Sequence, residues 1–501
     1  MSTPRPTKSK YSKSIYTNEH QRGRKRDFDP ETQSLFSPLR HIPDPPNKSK
    51  YNKNNLPFLG LFFDIICNES GVTFRGWTEH YGGVICFKAI FNTQVVHIAD
   101  PEAIQHVFYI HTYKYPKFER VVCVLSESMG IGLLLVEGDV HKQQRKIFTA
   151  AFSHKSVKEL VPRMADPAEY LSKLWMKRID ESEDKSIEMN VMPDVASCAL
   201  DILGLASFGY DFEALTVPRN AIIKGFDEYF SRKIPTLIKL LRHYVPVYRE
   251  FDRICRQIIN EKRAKAAATL AAGGQEDNDL LSLLLRTNEF PEDDGSKLSE
   301  DLVSQTFLAA GHDTSTVTVA WMLHTLATHL EVQIKLRQEL LTRIELLHFI
   351  APVPSTSRVA SEDDTILGYD IPKGAQIYLA PTMLHKLNSV WGEGAEEFNP
   401  ERWMDPSALT EEQRRTTKTV TPDMICIGSK LALIEVKVML YYLLIDLEYL
   451  PVPGFEFRKS ARITTRPTPG MNLILQRYKH GASPPAPAGV NALFESLATA
   501  L

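Results

Sequence analysis

The stretch Met424-Ile-Cys426-Ile-Gly428-Ser-Lys-Leu-Ala-Leu-Ile-Glu-Val-Lys-Val-Met-Leu440 places one cysteine just before a long helical pattern of apolar residues. Cys426 is therefore predicted to lie at a helix N-terminus, where the helix dipole and unpaired backbone N–H groups favour the metal-binding thiolate. Gly428, with no side chain, would let a flat ligand approach the backbone closely. Most cysteines outside disulfides simply pack in a core, so other stretches must decide between these two interpretations.

Composition describes an ordinary globular protein. The 501 residues are 43% hydrophobic and 24% charged, which is ample for a large core. A formal net charge of -2 gives no general attraction to nucleic acid. The six cysteines are scattered without CxxC or zinc-like spacing, which fits a reducing compartment. The sequence contains no apolar run long enough to span a bilayer, so no transmembrane helix is expected.

Periodicity predicts a mainly α protein with a small β portion, as one large helical unit with a minor β-rich lobe. Helical spacing of apolar residues covers 153–175, 191–208, 221–241 and 251–272, and strand patterns cover 84–91, 94–98, 365–371 and 375–379. The folded domain is predicted to span 55–478, followed by a flexible tail over 479–501. Residues 1–54 hold 12 Lys+Arg against 5 Asp+Glu, typical of a disordered basic tail or of a membrane-surface or targeting segment.

The longest predicted helix begins after Ser299 and continues to about Leu330, and it carries a polar insertion at its centre. The insertion is Ala309-Ala310-Gly311-His312-Asp313-Thr314-Ser315. Glycine weakens a helix and hydroxyls compete for its carbonyls, so a local widening or kink is expected. One interpretation is tight packing against a neighbouring helix. The other is a groove for a flat ligand, where Asp313 and Thr314 hold water and relay protons.

The cysteine stretch and this helix together resemble the haem-thiolate monooxygenases of the cytochrome P450 family, especially fungal members. The resemblance extends from about residue 41 to about residue 478. It implies that Cys426 is the axial iron ligand and that Gly428 and Gly311 lie against haem b. It also implies that Asp313 and Thr314 deliver protons.

Further motifs resemble the family in the correct order along the chain. The segment 138–145 is similar to the early helix that holds a haem propionate, which assigns that role to His141 and Arg145. Arg358 falls where a second propionate-binding arginine is expected. The positions of the family's buried Glu-Arg-Arg network are occupied by Glu345, His348 and Arg402. Glu345 and His348 match the family's E-x-x-R helix, and Arg402 lies in the later segment Phe398-Asn-Pro-Glu-Arg-Trp403.

The sequence also departs from the family pattern at two motifs. The family carries an aromatic residue, two glycines and an arginine before the cysteine, and this chain has Thr419, Val420, Pro422 and Met424 there. His348 stands where the family has arginine, and imidazole cannot form the same bidentate pair with an acid. Changes in the groups around a metal ligand can reduce metal affinity, so a catalytically impaired haem-binding or haem-free pseudoenzyme is an alternative.

The function implied by the resemblance is insertion of one oxygen atom of O2 into an apolar organic substrate. Fungal secondary metabolism, with terpenoid-like substrates, and xenobiotic oxidation are both expected contexts. Electrons would come from NADPH through a separate NADPH-cytochrome P450 reductase, since the chain has no flavin or nicotinamide fingerprint. The expected location is the cytoplasmic face of the endoplasmic reticulum, by peripheral membrane contact, or the cytoplasm. A haem-thiolate isomerase or dehydratase is a further alternative.

Overall fold

The computed structural model describes residues 37–45, 60–61, 64–65, 68, 71–129, 132–217, 246–271, 279–287, 300–339, 352–353, 355–384, 386–399, 409–411, 413–414, 416, 426–461 and 464–479. The α-helices in these ranges are α1 Val72–Tyr81, α2 Pro101–Gln105, α3 Glu119–Met129, α4 Gly138–Ala151, α5 His154–Glu181, α6 Met192–Leu203, α7 Pro246–Ala271, α8 Leu280–Thr287, α9 Glu300–Thr328, α10 Leu330–Glu339, α11 Pro381–Leu384, α12 Asn388–Trp391 and α13 Ser429–Ile445. The strands are β1 Val84–Lys88, β2 Gln94–Ile98, β3 Ser186–Asn190, β4 Thr356–Val359, β5 Asp364–Ile366, β6 Tyr369–Ile371, β7 Gln376–Leu379, β8 Leu447–Pro451, β9 Arg458–Ala461, β10 Thr465–Thr468 and β11 Asn472–Arg477.

Long helices form the largest of three hydrophobic clusters in the described residues, here called the helical core. Helix α5 begins at Ser153, whose side chain accepts a hydrogen bond from the Ser156 backbone N–H. It packs along α13 and α6, and α6 in turn packs along α9. Both α9, the central helix, and α13, the cysteine helix, are apolar on most sides because each is enclosed by other helices.

A four-stranded sheet forms the second core, here called the β-lobe core. The strand order is β1-β2-β7-β4, in which β2 and β7 run parallel and the other neighbours are antiparallel. Helix α1 covers this sheet with Phe74, whose ring stacks on Tyr378 with centroids 4.7 Å apart. Two antiparallel hairpins, β5-β6 and β9-β10, and the sheet β3-β11-β8 complete the described β structure.

The predicted fold class, mainly α with a minor β portion, is confirmed by this architecture. The hairpin predicted from 84–98 is present as β1-β2, with Val84 opposite Ile98. The pattern at 365–371 forms two strands, β5 and β6, joined by a turn in which Leu367 and Gly368 both have positive φ. The helix predicted at 221–241, and residues 480–501 of the predicted C-terminal tail, lie outside the described residues. Of the predicted N-terminal tail, residues 37–45 are described, and Leu39 and Ile42 are buried in the β-lobe core, so this part of 1–54 is ordered and not a disordered tail.

The widening predicted for the central helix is absent, because residues 300–328 are α-helical throughout. The predicted kink stays a prediction. The threonine hydroxyls are compatible with the helix, because Thr314 and Thr318 each donate a hydrogen bond of 2.7 Å to the carbonyl oxygen four residues earlier. A wider π-helical turn does occur next to it, at Gly204–Phe208, immediately after α6. Among the helices of the described ranges, none combines the length and apolarity needed to cross a membrane.

Candidate functional site

Cys426 is exposed and lies two residues before the N-cap of the cysteine helix, Gly428. A Cβ added to Gly428 would lie 3.9 Å from the Cys426 sulfur and 3.7 Å from Phe152 Cε1. The glycine therefore leaves space beside the sulfur that any other residue would fill. The structure agrees with the predicted position of this thiol at the start of a buried helix.

Asp313 and Thr314, the predicted proton-delivery pair, bind different partners. The Thr314 hydroxyl donates to the Ala310 carbonyl oxygen at 2.7 Å and is partly accessible. Asp313 is only 1% exposed, and both of its oxygens are engaged by the β9-β10 hairpin. Oδ1 forms an ion pair with Arg466, whose Nε donates to it at 3.0 Å, and Oδ2 accepts a hydrogen bond from the Thr464 hydroxyl. The acid and the alcohol are therefore adjacent in sequence but not hydrogen-bonded to each other.

Gly311 packs against a neighbouring helix. A Cβ at this position would lie 2.8 Å from Leu203 Cδ1 at the end of α6, closer than real side chains come. The absence of a side chain therefore permits close contact between α6 and the central helix, as in the packing interpretation of the sequence. The predicted contact between Gly311 and a cofactor stays a prediction.

A basic cluster forms where α4 and β4 approach each other. It contains His141 and Arg145 of α4, Arg358 of β4, and Lys117, which was not among the residues predicted from the sequence. Lys117 and Arg358 face each other in an isolated antiparallel bridge. The pKa of His141 is lowered to about 4, first by burial and then by the positive charges of Lys117 and Arg145. At neutral pH this imidazole is therefore uncharged.

One carboxylate lies within this basic cluster. Glu137 Oε1 accepts hydrogen bonds from the Lys117 backbone N–H at 2.8 Å and from Lys117 Nζ at 3.1 Å. The Arg358 guanidinium lies 4.7 Å from the centre of the Phe108 ring, and its Nη1 donates to Thr356 and Ser357 oxygens. Burial lowers the pKa of Arg358, and Glu137 opposes that effect.

These residues fit a haem group. Among the described residues whose charges act on the pKa of His141 are three cations, Lys117, Arg145 and Arg358, and one carboxylate, Glu137. This leaves a surplus of positive charge that two propionates would balance. The Tyr113 hydroxyl lies 3.0 Å from Nδ1 of His141, so with Tyr113 as the donor the ring proton is on Nε2. Cys426 would supply a soft thiolate ligand of the kind that suits iron.

Several predicted positions cannot be located. Glu345, His348 and Arg402, the predicted buried network, lie outside the described residues. The four positions that depart from the family before Cys426, within 419–424, also lie outside them.

Sequence reasoning missed residues that come from distant segments. Arg466 and Thr464 lie about 150 residues after Asp313 and carry no local signal. Glu435 had a signal, since an acid inside an otherwise apolar buried helix is unusual. Its Oε2 accepts a hydrogen bond from the Ser315 hydroxyl at 2.7 Å, which joins the cysteine helix to the central helix.

Comparison with known proteins supports this arrangement. The family profile described as Cytochrome P450 matches residues 51–346 and 344–473. The chain is 30% identical to Cytochrome P450 monooxygenase 205 of Postia placenta, over 87% of this chain and 91% of that protein. It is 27% identical to Cytochrome P450 monooxygenase sphH of Aspergillus fumigatus, over 74% and 75%, and 26% identical to Cytochrome P450 monooxygenase claO of Ampulloclitocybe clavipes, over 82% and 87%. The matched ranges contain the cysteine helix, the central helix and the basic cluster, and this chain therefore belongs to the cytochrome P450 family.

Proposed function

We propose that this protein is a haem b-dependent monooxygenase that inserts one atom of O2 into an apolar organic substrate. The observation that carries the proposal is the exposed Cys426 thiol beside the space left by Gly428, at the start of the buried cysteine helix. The fungal relatives are named as monooxygenases, which supports the proposed oxygen insertion. The proposed substrate is a fungal secondary metabolite, such as a terpenoid, or a xenobiotic.

Cys426 is the residue proposed to bind iron, as a thiolate favoured by the N-terminal end of the cysteine helix. A haem held by this thiolate would supply the activation of O2, which is the source of the inserted oxygen atom. The thiol lies outside any apolar cluster, so its accessibility suits ligation better than core packing.

Arg145, Arg358 and His141 are proposed to hold the two propionates. The two guanidiniums provide charge-assisted hydrogen bonds, and the uncharged imidazole offers its Nε2–H as a neutral donor. Lys117 is already bound to Glu137 and would set the local charge without direct contact. Glu345, His348 and Arg402 remain a proposed supporting network.

Thr314 is proposed to hold the proton-bearing water, and Asp313 to resupply its proton. In the described structure the Asp313 carboxyl faces Arg466 and Thr464. The ion-paired Asp313 carboxylate carries no proton, so it can resupply Thr314 only after it turns away from Arg466 and takes up a proton from water, which it then passes on directly or through an intervening water.

The proposed electron donor is NADPH, through a separate cytochrome P450 reductase, as members of the family generally use a redox partner. The proposed location is the cytoplasmic surface of the endoplasmic reticulum, by peripheral contact, or the cytoplasm. Extraction of membranes with carbonate separates a peripherally bound protein from an integral one.

The test of the proposed function is the carbon monoxide difference spectrum of the reduced chain, expressed with haem supplied. The expected result is a strongly red-shifted Soret band that is lost in Cys426→Ala. A matched control is Cys123→Ala, which removes a thiol of α3. A haem spectrum without the red-shifted band, or no bound haem, would overturn the proposal in favour of a pseudoenzyme.

A further inference from the structure

A buried carboxyl group lies between the two helices that carry the proposed chemistry. Glu435 follows Cys426 by nine residues on the cysteine helix and is 3% exposed. Its Oε2 accepts the hydrogen bond from Ser315, the residue next to Thr314 on the central helix. Its Oε1 is buried and has no hydrogen-bond partner among the described residues. Glu435 therefore accepts one hydrogen bond, whereas a buried ionised carboxylate requires several.

The surroundings of Glu435 favour the uncharged acid. Burial raises the pKa of Glu435 to about 8, and the bond from Ser315 opposes this only in part. The Cys198 thiol of α6 is an ionisable group near Glu435, and its pKa is raised by burial first and then by the nearby carboxyl groups of Asp201 and Glu435. In the described part of the chain, no cation from the packed helices acts on the pKa of Glu435. Glu435 is thus mostly protonated at pH 7.

We propose that Glu435 is a positioning residue, and that its bond to Ser315 fixes the central helix on the cysteine helix and so holds Thr314 in place relative to Cys426. The inference rests on the proposed function, because Thr314 and Cys426 are the residues assigned to proton delivery and iron ligation. It also makes the stability of the Glu435–Ser315 contact depend on the proton of the Glu435 carboxyl group. The contact stays closed while Glu435 carries that proton, and any opening that admits water lets the proton leave.

The sign of this dependence follows from the two pKa values. The buried acid has a pKa of about 8, whereas a solvated glutamic acid has its ordinary pKa of 4.5. Between these values, opening releases a proton, so the opening equilibrium of wild type rises up to about tenfold with each pH unit. Above about pH 8 the closed state also loses the proton, and the rise ends. Glutamine has the same shape and no proton to release, so Glu435→Gln shows no such rise.

The test is amide hydrogen exchange of the full-length chain over residues 308–328 of the central helix, at pH 6, 7 and 8. Wild type and Glu435→Gln are compared at equal pH, which cancels the intrinsic effect of pH on exchange. The expected ratio of wild-type to variant exchange rises by up to about tenfold per pH unit. Ser315→Ala is expected to exchange faster than wild type, and Ser315→Thr, which keeps the hydroxyl, to restore protection. Glu188→Gln removes an exposed carboxylate from β3 and serves as the control.

A ratio that stays constant with pH, or unchanged exchange in Ser315→Ala, would overturn the inference. If Glu435→Gln does not fold, Glu435→Met provides a second uncharged reference, and the same pH trend is expected against it. Hydrogen exchange needs no bound haem, so failure of the carbon monoxide test would remove the proposed function and leave this contact standing. In the haem-loaded protein, the red-shifted band is expected to fall in Ser315→Ala and to recover in Ser315→Thr.

Discussion

Neighbouring residues of the central helix have different tasks because each points in a different direction. Thr314 is partly accessible and bonds to its own helix, whereas Asp313 turns to the β9-β10 hairpin and Ser315 turns to the cysteine helix. Gly311 meets α6. This short segment of the helix therefore makes four separate contacts. Each contact depends on a different residue, so each can be removed by its own substitution.

Gly311→Ala is expected to destabilise the protein by about 1–3 kcal/mol, because the new Cβ would overlap Leu203 and force α6 away. The measurement is the free energy of unfolding in urea. The double variant Gly311→Ala, Leu203→Ala should recover part of this loss, since the obstructing methyl groups are removed.

The matched control for that substitution is Gly76→Ala in α1. A Cβ there has no neighbour within 4 Å, so the better helix propensity of alanine should stabilise by up to about 1 kcal/mol. Equal effects at the two glycines would contradict the packing role assigned to Gly311.

At the scale of elements, the β9-β10 hairpin is fixed to the central helix at two levels. Arg466 and Thr464 bind Asp313, and two turns further along, Trp321 Nε1 donates to the Thr465 carbonyl oxygen at 2.8 Å. The hairpin therefore determines which way the Asp313 carboxyl points.

Arg466→Met is expected to cost roughly 3–5 kcal/mol, because it leaves the Asp313 charge buried without its cation. Thermal unfolding measures the loss, and adding Asp313→Asn should recover much of it by removing the charge. The control is Arg477→Met, which breaks the half-exposed pair with Asp180 and should cost about 0–1 kcal/mol. A similar cost at both arginines would show that Asp313 is better solvated than its burial indicates.

The sequence predicted long elements better than contacts between elements. Helices α5 and α7 and the hairpin β1-β2 follow from local periodicity and turn residues, so their patterns were sufficient. Strands β3 and β11 were missed because they pair across about 290 residues, where no local pattern records the partner. The site divides in the same way: Cys426 and Thr314 follow from motifs, whereas Arg466 depends on the tertiary fold.

At the scale of the whole molecule, the helical core and the β-lobe core bury ionisable groups whose contributions to folding stability change with pH in opposite directions. The helical core holds Glu435, which favours folding at low pH because its folded-state pKa is raised. The β-lobe core holds His97 on β2, fully buried beside Thr78 and Phe74. Burial lowers the pKa of His97 to about 3 from the ordinary histidine value of 6.5. Its stabilising contribution is therefore present above pH 6.5 and is lost as the pH falls toward 3.

Acidification is thus expected to open the β lobe while it protects the helical core. Between about pH 6.5 and pH 5, exchange over β1-β2 should rise in wild type relative to His97→Gln by up to about tenfold per pH unit, equivalent to about 1.4 kcal/mol. Over the cysteine helix, the ratio of the amide exchange rate of wild type to that of Glu435→Gln should fall as the pH is lowered across the same range. His80→Gln, in an exposed position on α1, is the control for loss of a histidine. If both segments responded in the same direction, the two cores would be opening as one cooperative unit, and the separate pH dependences assigned to His97 and Glu435 would be wrong.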